Sequence, residues 1–514
     1  HEVQRCGATT IVDITCVLYR RSNKKGVHNT ADLETLLQRG ERWRSIRIIY
    51  FTMFMMSLGF SIILTGVWPF LNKLDPHASK EFLGFVVAAN PFAQMLFSPL
   101  FGYWGNRSKS VRAPLLLSLS LFTAASAGYA LLELFPTSSV RYWMVATRFL
   151  VGVGSASITL CRSYLSAATT LRERTGAISM VSLAQVLGFI VGPGVQVLVT
   201  PLGDSGVPVF GGALTINMYT AAGWVNVALS LTNLLLFLPC VFRERRIAGR
   251  EAMRDQGTSS EKETWSGTKP DYVGSWSLIC AFFILLFNFV LLETMGAPLV
   301  MDQFAWTKEE ALYYMGIIMS ACAIAAVFTF VAIKPLCRWF NERSVMLYGG
   351  FMLMVVGPAL CIPWGSSPPK LMISDEVVNG TEPVGCPVSS QPWCAYTPAM
   401  TIEQLILGYA LTSVGYPIAV TLIQTIFSKL LGPRPQGVWM GIMTGSGCFS
   451  RVLGPVFVSF VYARLGTVWT FSLTAVTMAL CCLWLRLVKE RLVSPDVRSK
   501  HQAADDEELH TFQS

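Results

Sequence analysis

Three ionisable residues sit deep inside apolar stretches of this chain: Arg148, Glu293 and Arg451. A charge held in hydrocarbon costs about 3 kcal/mol or more unless it is paired or wetted, so each marks a candidate path for polar solutes. Arg451 lies roughly 20 Å into its stretch at 1.5 Å per helical residue, too deep for its head group to reach water along the surface. Arg148 is nearer one end of its stretch, and Arg162 is close enough to the other end to snorkel. Glu293 stands beside Thr294 and Pro298, where a helix is expected to break, and it reads equally as a fixed ion-pair partner and as a proton acceptor. Two buried cations against one acid leave the space between them net positive, which favours an anionic permeant by Coulomb attraction in a low dielectric. Glu293 and Arg451 are expected to pair when no permeant is bound, and protonation of the acid would release the cation. None of the five His lies in an apolar stretch, and no Cys-x-x-Cys, His-Glu-x-x-His or P-loop pattern occurs. The expectation is a protein that is not an enzyme, with no metal and no cofactor, whose partner is a small anion or an organic solute.

The elements that must hold such residues follow from composition. Of 514 residues, 52% are hydrophobic and only 14% charged, whereas a soluble chain is about 25% charged. The apolar residues come in blocks of about 20, the length of a helix crossing roughly 30 Å of hydrocarbon, and lack the strict alternation of β-barrel strands. Twelve blocks are found, six on each side of a polar stretch of mixed charge. The expected organisation is an N-terminal tail over 1–47, a six-helix bundle over 48–241, a flexible linker over 242–273, a second bundle over 274–487 and a tail over 488–514. The net charge of +9 is read by location and not as a nucleic-acid signal. Only six of the 40 Lys and Arg (Lys73, Lys80, Arg141, Lys308, Lys370 and Arg464) fall on the side opposite the linker, so the positive-inside rule puts both termini and the linker in the cytosol. The chain starts at His1 without a Met, and its early apolar stretch is interrupted by Asp13. The tail reads as truncated and mostly disordered, with no secretory signal.

The loops carry their own signals. The longest non-cytosolic loop holds a glycosylation sequon at Asn379 and a cysteine pair, Cys386 and Cys394, expected to close a local disulfide. In the N-terminal tail, Asp32 with Leu36 and Leu37 fits an acidic dileucine pattern read by cytosolic sorting adaptors; the start of an amphipathic helix fits as well. The two halves echo one another. Gly192 and Pro193 in the fifth block match Gly454 and Pro455 in the eleventh, and Ser79 precedes the second block as Thr307 precedes the eighth, each suited to cap a helix. Duplicated halves around a path are the build of alternating access.

After the second block, the segment Gly102 through Asn106 and Arg107 to Arg112 resembles the signature loop of the major facilitator superfamily, with Asn106 where that pattern has Asp and Lys109 where it has Gly. Arg148, Gly152 and Gly154 resemble its second motif, and Gly188, Gly192 and Pro193 part of its antiporter motif, although Gln196 takes a usual glycine position. The resemblance implies an all-α membrane protein with the major facilitator fold, twelve helices in two six-helix bundles, and a cytosolic latch around Asn106. Close helix packing accounts for the glycines without any direct part in transport. The Trp68 and Pro69 pair, Arg162 with Tyr164, the run from Gln185 to Phe189, the run from Trp393 to Pro398 and that from Gly432 to Gly437 resemble a lysosomal branch of the same superfamily. That likeness implies an endolysosomal glycoprotein with an anion, chloride, conductance in place of or alongside solute carriage.

Overall fold

The computed structural model describes residues 33–76, 80–136, 139–209, 214–267, 270–365, 367–372 and 384–493. The sequon at Asn379, Asp32 of the dileucine pattern and the cap candidate Ser79 lie outside these residues.

The first half runs α1 (Leu36–Leu74), α2 (Lys80–Arg107), α3 (Arg112–Ala130), α4 (Val140–Ala167, broken at Ala156), α5 (Leu171–Val199) and α6 (Thr220–Leu236), with a hairpin of β1 (Val207–Val209) and β2 (Leu214–Ile216) between α5 and α6. Two short helices follow, α7 (Ala248–Gln256) and α8 (Glu261–Gly267). The second half holds α9 (Tyr272–Phe304), α10 (Lys308–Trp339), α11 (Glu342–Leu360), α12 (Ile402–Leu430) and α13 (Gly437–Leu487). With 51 residues, α13 would be about 77 Å long, far more than one crossing needs. It turns back at Gly466, whose φ of 84° is open to glycine and costly for other residues, so its two limbs cross separately. Counting both limbs and the shorter apolar α6, the described residues contain twelve crossings.

Local chemistry fixes where the helices begin. Thr35, Thr170, Thr307 and Thr401 each accept the backbone N–H three residues on, and the Gln or Glu there reaches back to the cap residue. The first of these boxes starts α1 at Leu36, well before the expected boundary at residue 48. In contrast, α6 stops at Leu236, short of the expected 241, because Pro239 cannot continue a helix. The linker also departs from expectation, since it is folded and docked. Ile247 N–H donates to the Ala167 carbonyl at 2.9 Å, Glu251 accepts the Leu171 N–H at 3.0 Å, and Ala248 and Ala252 are buried. Its charged residues help to pin it, Arg243 and Arg245 pairing with Glu41 of α1, beside an apolar face of Ile247, Ala248 and Ala252.

Within each half the same helices pair. In the first, α5 lies against α1; in the second, the first limb of α13 lies against α9. A Cβ on Gly192 would fall 2.5 Å from the Ser61 Cβ, and one on Gly454 2.9 Å from Val290, so the repeated Gly-Pro marks the same close approach in both. Gly188 does the same against Phe54 and Leu58, while Gly152 and Gly154 seat α4 against α2 and α3. Pro193 and Pro455 lie inside their helices.

The halves meet along two related lines, α2 against the first limb of α13 and α5 against α10. Their hydrogen bonds gather near the face that carries the linker. Arg174 donates to the Ser428 carbonyl at 3.2 Å, Ser428 to the Ser166 hydroxyl at 2.9 Å, and Thr175 and Lys429 both reach Glu342. At the opposite face each half is tied within itself. Glu133 joins Lys73 (2.9 Å), Thr215 (2.8 Å) and Asn217 (2.6 Å), and although burial raises its pKa, these partners hold it below the usual carboxylate value. In the second half Cys386 and Cys394 form a disulfide, and beside it Trp393 is buried against Gly466 and Tyr462.

Candidate functional site

The charged residues gather where the halves face each other above the sealed linker side. Arg451, on α13, places its guanidinium 5.7 Å from the ring centre of Phe189 on α5. Phe189 meets Phe60 of α1 edge to face at 5.8 Å, and the Phe60 ring in turn carries the guanidinium of Arg148 on α4 at 5.4 Å. A chain of cation, two rings and cation thus connects the predicted arginines across the two halves.

Arg148 is 0% exposed, and none of its guanidinium nitrogens has a hydrogen-bond partner in the protein. Leaving a buried charge uncompensated costs about 3–5 kcal/mol, so this position calls for an anion or water. Arg451 is partly exposed and has no carboxylate in ion-pair contact among the described residues.

Glu293 lies about 30 Å along α9 and is solvent-accessible there. It is within electrostatic reach of Arg451 but not in an ion pair with it, which corrects the expected pairing. The physical reason is the aromatic wall: Arg451 lies over the Phe189 ring and is not turned to the carboxylate. Tyr416, stacked on Phe289 at 4.0 Å, stands within reach of Arg451, Glu293 and Arg162 together.

Arg162 is a second correction. Instead of snorkelling, it donates to Gln185 Oε1 at 3.2 Å and to Thr444 Oγ1 of the other half at 3.3 Å, within electrostatic reach of Arg451. Sequence did hold a signal: Arg162 follows Arg148 by 14 residues, about four helical turns, which puts both on one side of α4. Phe60, Phe189 and Tyr416 had no such signal, because an aromatic residue in an apolar helix reads as packing.

Below this cluster, the last turns of α2 from Gly102 onward close the linker face. A Cβ on Gly102 would fall 2.1 Å from the Gly437 carbonyl oxygen, and on Gly437 2.3 Å from that of Gly102. Asn106 Oδ1 accepts the Gly437 N–H at 2.9 Å and its Nδ2 donates to the Pro435 carbonyl at 3.4 Å, so it caps α13 across the joint. Arg107 is exposed and takes no part, and Arg112 stays within its own half, donating to the Phe237 carbonyl at 2.9 Å. Lys109 adopts φ 49°, the left-handed conformation that suits the Gly of the related pattern. Leu36 and Leu37 form the first turn of α1, 88% and 77% exposed. Among the described residues no group of His, Cys, Asp and Glu is arranged to hold a metal.

Comparison with known proteins agrees with this build. The Major Facilitator Superfamily profile matches residues 49–378 and 385–509. The protein named major facilitator superfamily domain-containing protein 8 of Xenopus laevis is 39% identical over 483 residues, 90% of this chain and 94% of that protein. The class D tetracycline resistance protein of Salmonella ordonez is 22% identical over 442 residues, 83% of this chain and 93% of that one. Among solved structures, the fucose:proton symporter of E. coli superposes with a TM-score of 0.60 at 13% identity, covering 87% of this chain and 99% of its own. A bacterial homologue of the iron transporter ferroportin, in an outward-facing state, gives 0.61 at 10% identity over 85% and 97%. At such identities the structures speak for the fold alone. Taken with the twelve crossings and the paired halves, the profile and the relatives show that this chain belongs to the major facilitator superfamily, as a multi-pass membrane transport protein and not an enzyme.

Proposed function

We propose that the chain conducts or carries a small anion, chloride being the simplest, across the endolysosomal membrane with both termini in the cytosol, contributing to ion and pH homeostasis there. The observation that carries this reading is the excess of cationic groups at the centre. Arg162 and Arg451 lie within electrostatic reach of each other, Arg148 is joined to Arg451 through the Phe60 and Phe189 rings, and no carboxylate is in ion-pair contact with any of the three among the described residues. In a low dielectric such a cluster attracts an anion strongly. The location rests on the resemblance read from sequence, on the Lys and Arg distribution and on Asp32, Leu36 and Leu37 as a signal for sorting adaptors, with Asn379 glycosylated on the lumenal side.

In this reading the anion enters from the far face, exchanges water for the guanidiniums of Arg451 and Arg162, and leaves when the Asn106 joint opens. Glu293, within electrostatic reach of Arg451, tunes the field: ionised, it screens the cation, and protonated, it leaves the cation free. That same acid favours a second reading, a proton-coupled carrier of a small organic solute with Tyr416 and Phe289 as an apolar wall.

Reconstituted protein separates the two. The anion reading expects halide flux without added solute. Arg451→Gln should abolish it at every pH, and Glu293→Gln should keep flux while flattening its rise with acidity. Normal halide flux through Arg451→Gln, in protein of unchanged size-exclusion profile, would overturn the anion reading in favour of the carrier.

A further inference from the structure

A cavity of about 290 Å³ opens at the linker face of the second half, away from the central cluster. Arg343, Lys429, Asn341 and Glu342 supply its polar wall, and Leu492 and Val493 an apolar one. Lys429 Nζ sits 2.7 and 2.8 Å from the two Glu342 oxygens, so the one acid in the wall is already neutralised. Arg343 donates only to the Lys489 carbonyl, at 3.0 Å, and neither it, Lys489 nor the exposed Arg338 has a carboxylate partner among the described residues. At the rim, where α10 ends, Trp339 and Phe340 are 85% and 59% exposed. Adjacent aromatics at the end of a crossing helix anchor at the level of lipid headgroups.

We propose that this cavity binds the phosphorylated headgroup of an anionic membrane lipid, of the phosphoinositide class. The free N–H donors of Arg343 in the wall, with Lys429 beside it and Arg338 and Lys489 borne by the segments that flank the cavity, fit a phosphate monoester, which offers several acceptor oxygens and nearly two charges. The rim selects a membrane-borne source over a free phosphate, because Trp339 and Phe340 bring the mouth of the cavity into the headgroup layer. Glu342 also accepts from Thr175 of the first half, and Lys429 Nζ is 3.2 Å from that hydroxyl. The headgroup site is therefore complete only while the linker face is closed, and occupancy favours that state.

The test uses the full chain in phosphatidylcholine nanodiscs with or without a few per cent phosphatidylinositol bisphosphate, counting retained lipid by native mass spectrometry. One bisphosphate lipid should be retained per chain. Arg338→Gln with Arg343→Gln and Lys489→Gln should retain it about a hundredfold less well, each removed cation near a membrane being worth about fivefold. Neutralising Arg243, Arg245 and Arg246, on the same face of the first half, should leave retention unchanged. Trp339→Ser with Phe340→Ser keeps every cation, and should weaken the lipid while leaving binding of soluble inositol trisphosphate intact. Equal retention in the first triple variant, or equal loss in the second, overturns the site. Inositol trisphosphate binding as tightly as the lipid overturns the membrane source. None of these readouts depends on which solute is transported.

Discussion

The guanidinium of Arg162 spans the joint between the halves, giving one N–H to Gln185 and another to Thr444. A planar fork can serve both acceptors at once, whereas an ammonium on a flexible stem cannot hold the same two directions. Hydrogen bonds from a charged group are worth about 1.5–3 kcal/mol each. Arg162→Lys, which keeps the charge, is therefore expected to lower transport about tenfold, and Arg162→Gln further still, both measured as initial flux in liposomes at matched protein density. Wild-type flux in Arg162→Lys would mean that charge alone matters there. Sequence pointed to Arg148 and Arg451 because depth in an apolar helix is a local property, countable along the chain. It missed Arg162 because the route to water at that end of α4 is blocked by α13 and the docked linker, and burial by another half leaves no trace in a residue's own neighbours. Glu293 stands within electrostatic reach of Arg451 without an ion pair, since side chains of that length have a choice of partner and Arg451 lies over the Phe189 ring.

Elements explain why the joint can be so tight. Along α13, Gly437, Gly441 and Gly445 recur every four residues and meet Gly102, Pro99 and Met95 of α2, with a Cβ on Gly441 falling 2.6 Å from the Pro99 Cα. Without a hydrophobic drive between helices in lipid, such backbone contact supplies much of the association. Gly441→Leu should force the helices apart at a cost of about 1–3 kcal/mol, seen as a lower unfolding temperature. Gly316→Leu, in α10 where a Cβ meets nothing within 4 Å, should be neutral and serves as the control. Equal unfolding temperatures for the two variants would rule out the glycine seam as a source of stability. Helix number and the pairing of halves were legible because crossing length and the repeated Gly-Pro are written in residue type. Helix ends were less so: Thr35 starts α1 early and Pro239 follows an early end of α6, small signals beside long apolar runs. The linker misled because a polar composition reads as solvated, whereas here the polar residues themselves dock: Arg243 and Arg245 pair with Glu41 and Glu251 accepts the Leu171 N–H, beside the buried Ile247, Ala248 and Ala252.

At the scale of the whole molecule, transport requires the halves to exchange a closed linker face for an open one, and a few joints set the balance. Asn106 is the one most open to test, since its carbonyl oxygen caps α13 across the joint while its amide holds the Pro435 carbonyl. Asn106→Ala removes the cap, worth about 1 kcal/mol, and should raise the population open at the linker face about fivefold. Asn106→Asp gives up the bond to Pro435 but sets a full negative charge at the N-terminus of α13, a gain of about 0.3–1 kcal/mol against the helix dipole. It should hold the linker face closed at least as well as Asn. Cys448 reports the balance, because it is buried above the seam, within electrostatic reach of Arg162 and Arg451. In protein whose other free cysteines are replaced by alanine, maleimide added only from the linker side should label Cys448 about fivefold faster in Asn106→Ala than in the parent, and no faster in Asn106→Asp. Equal rates in all three would show that the closed state is held by the glycine seam and the Arg174, Ser428 and Glu342 contacts, with Asn106 adding nothing to the exchange between states.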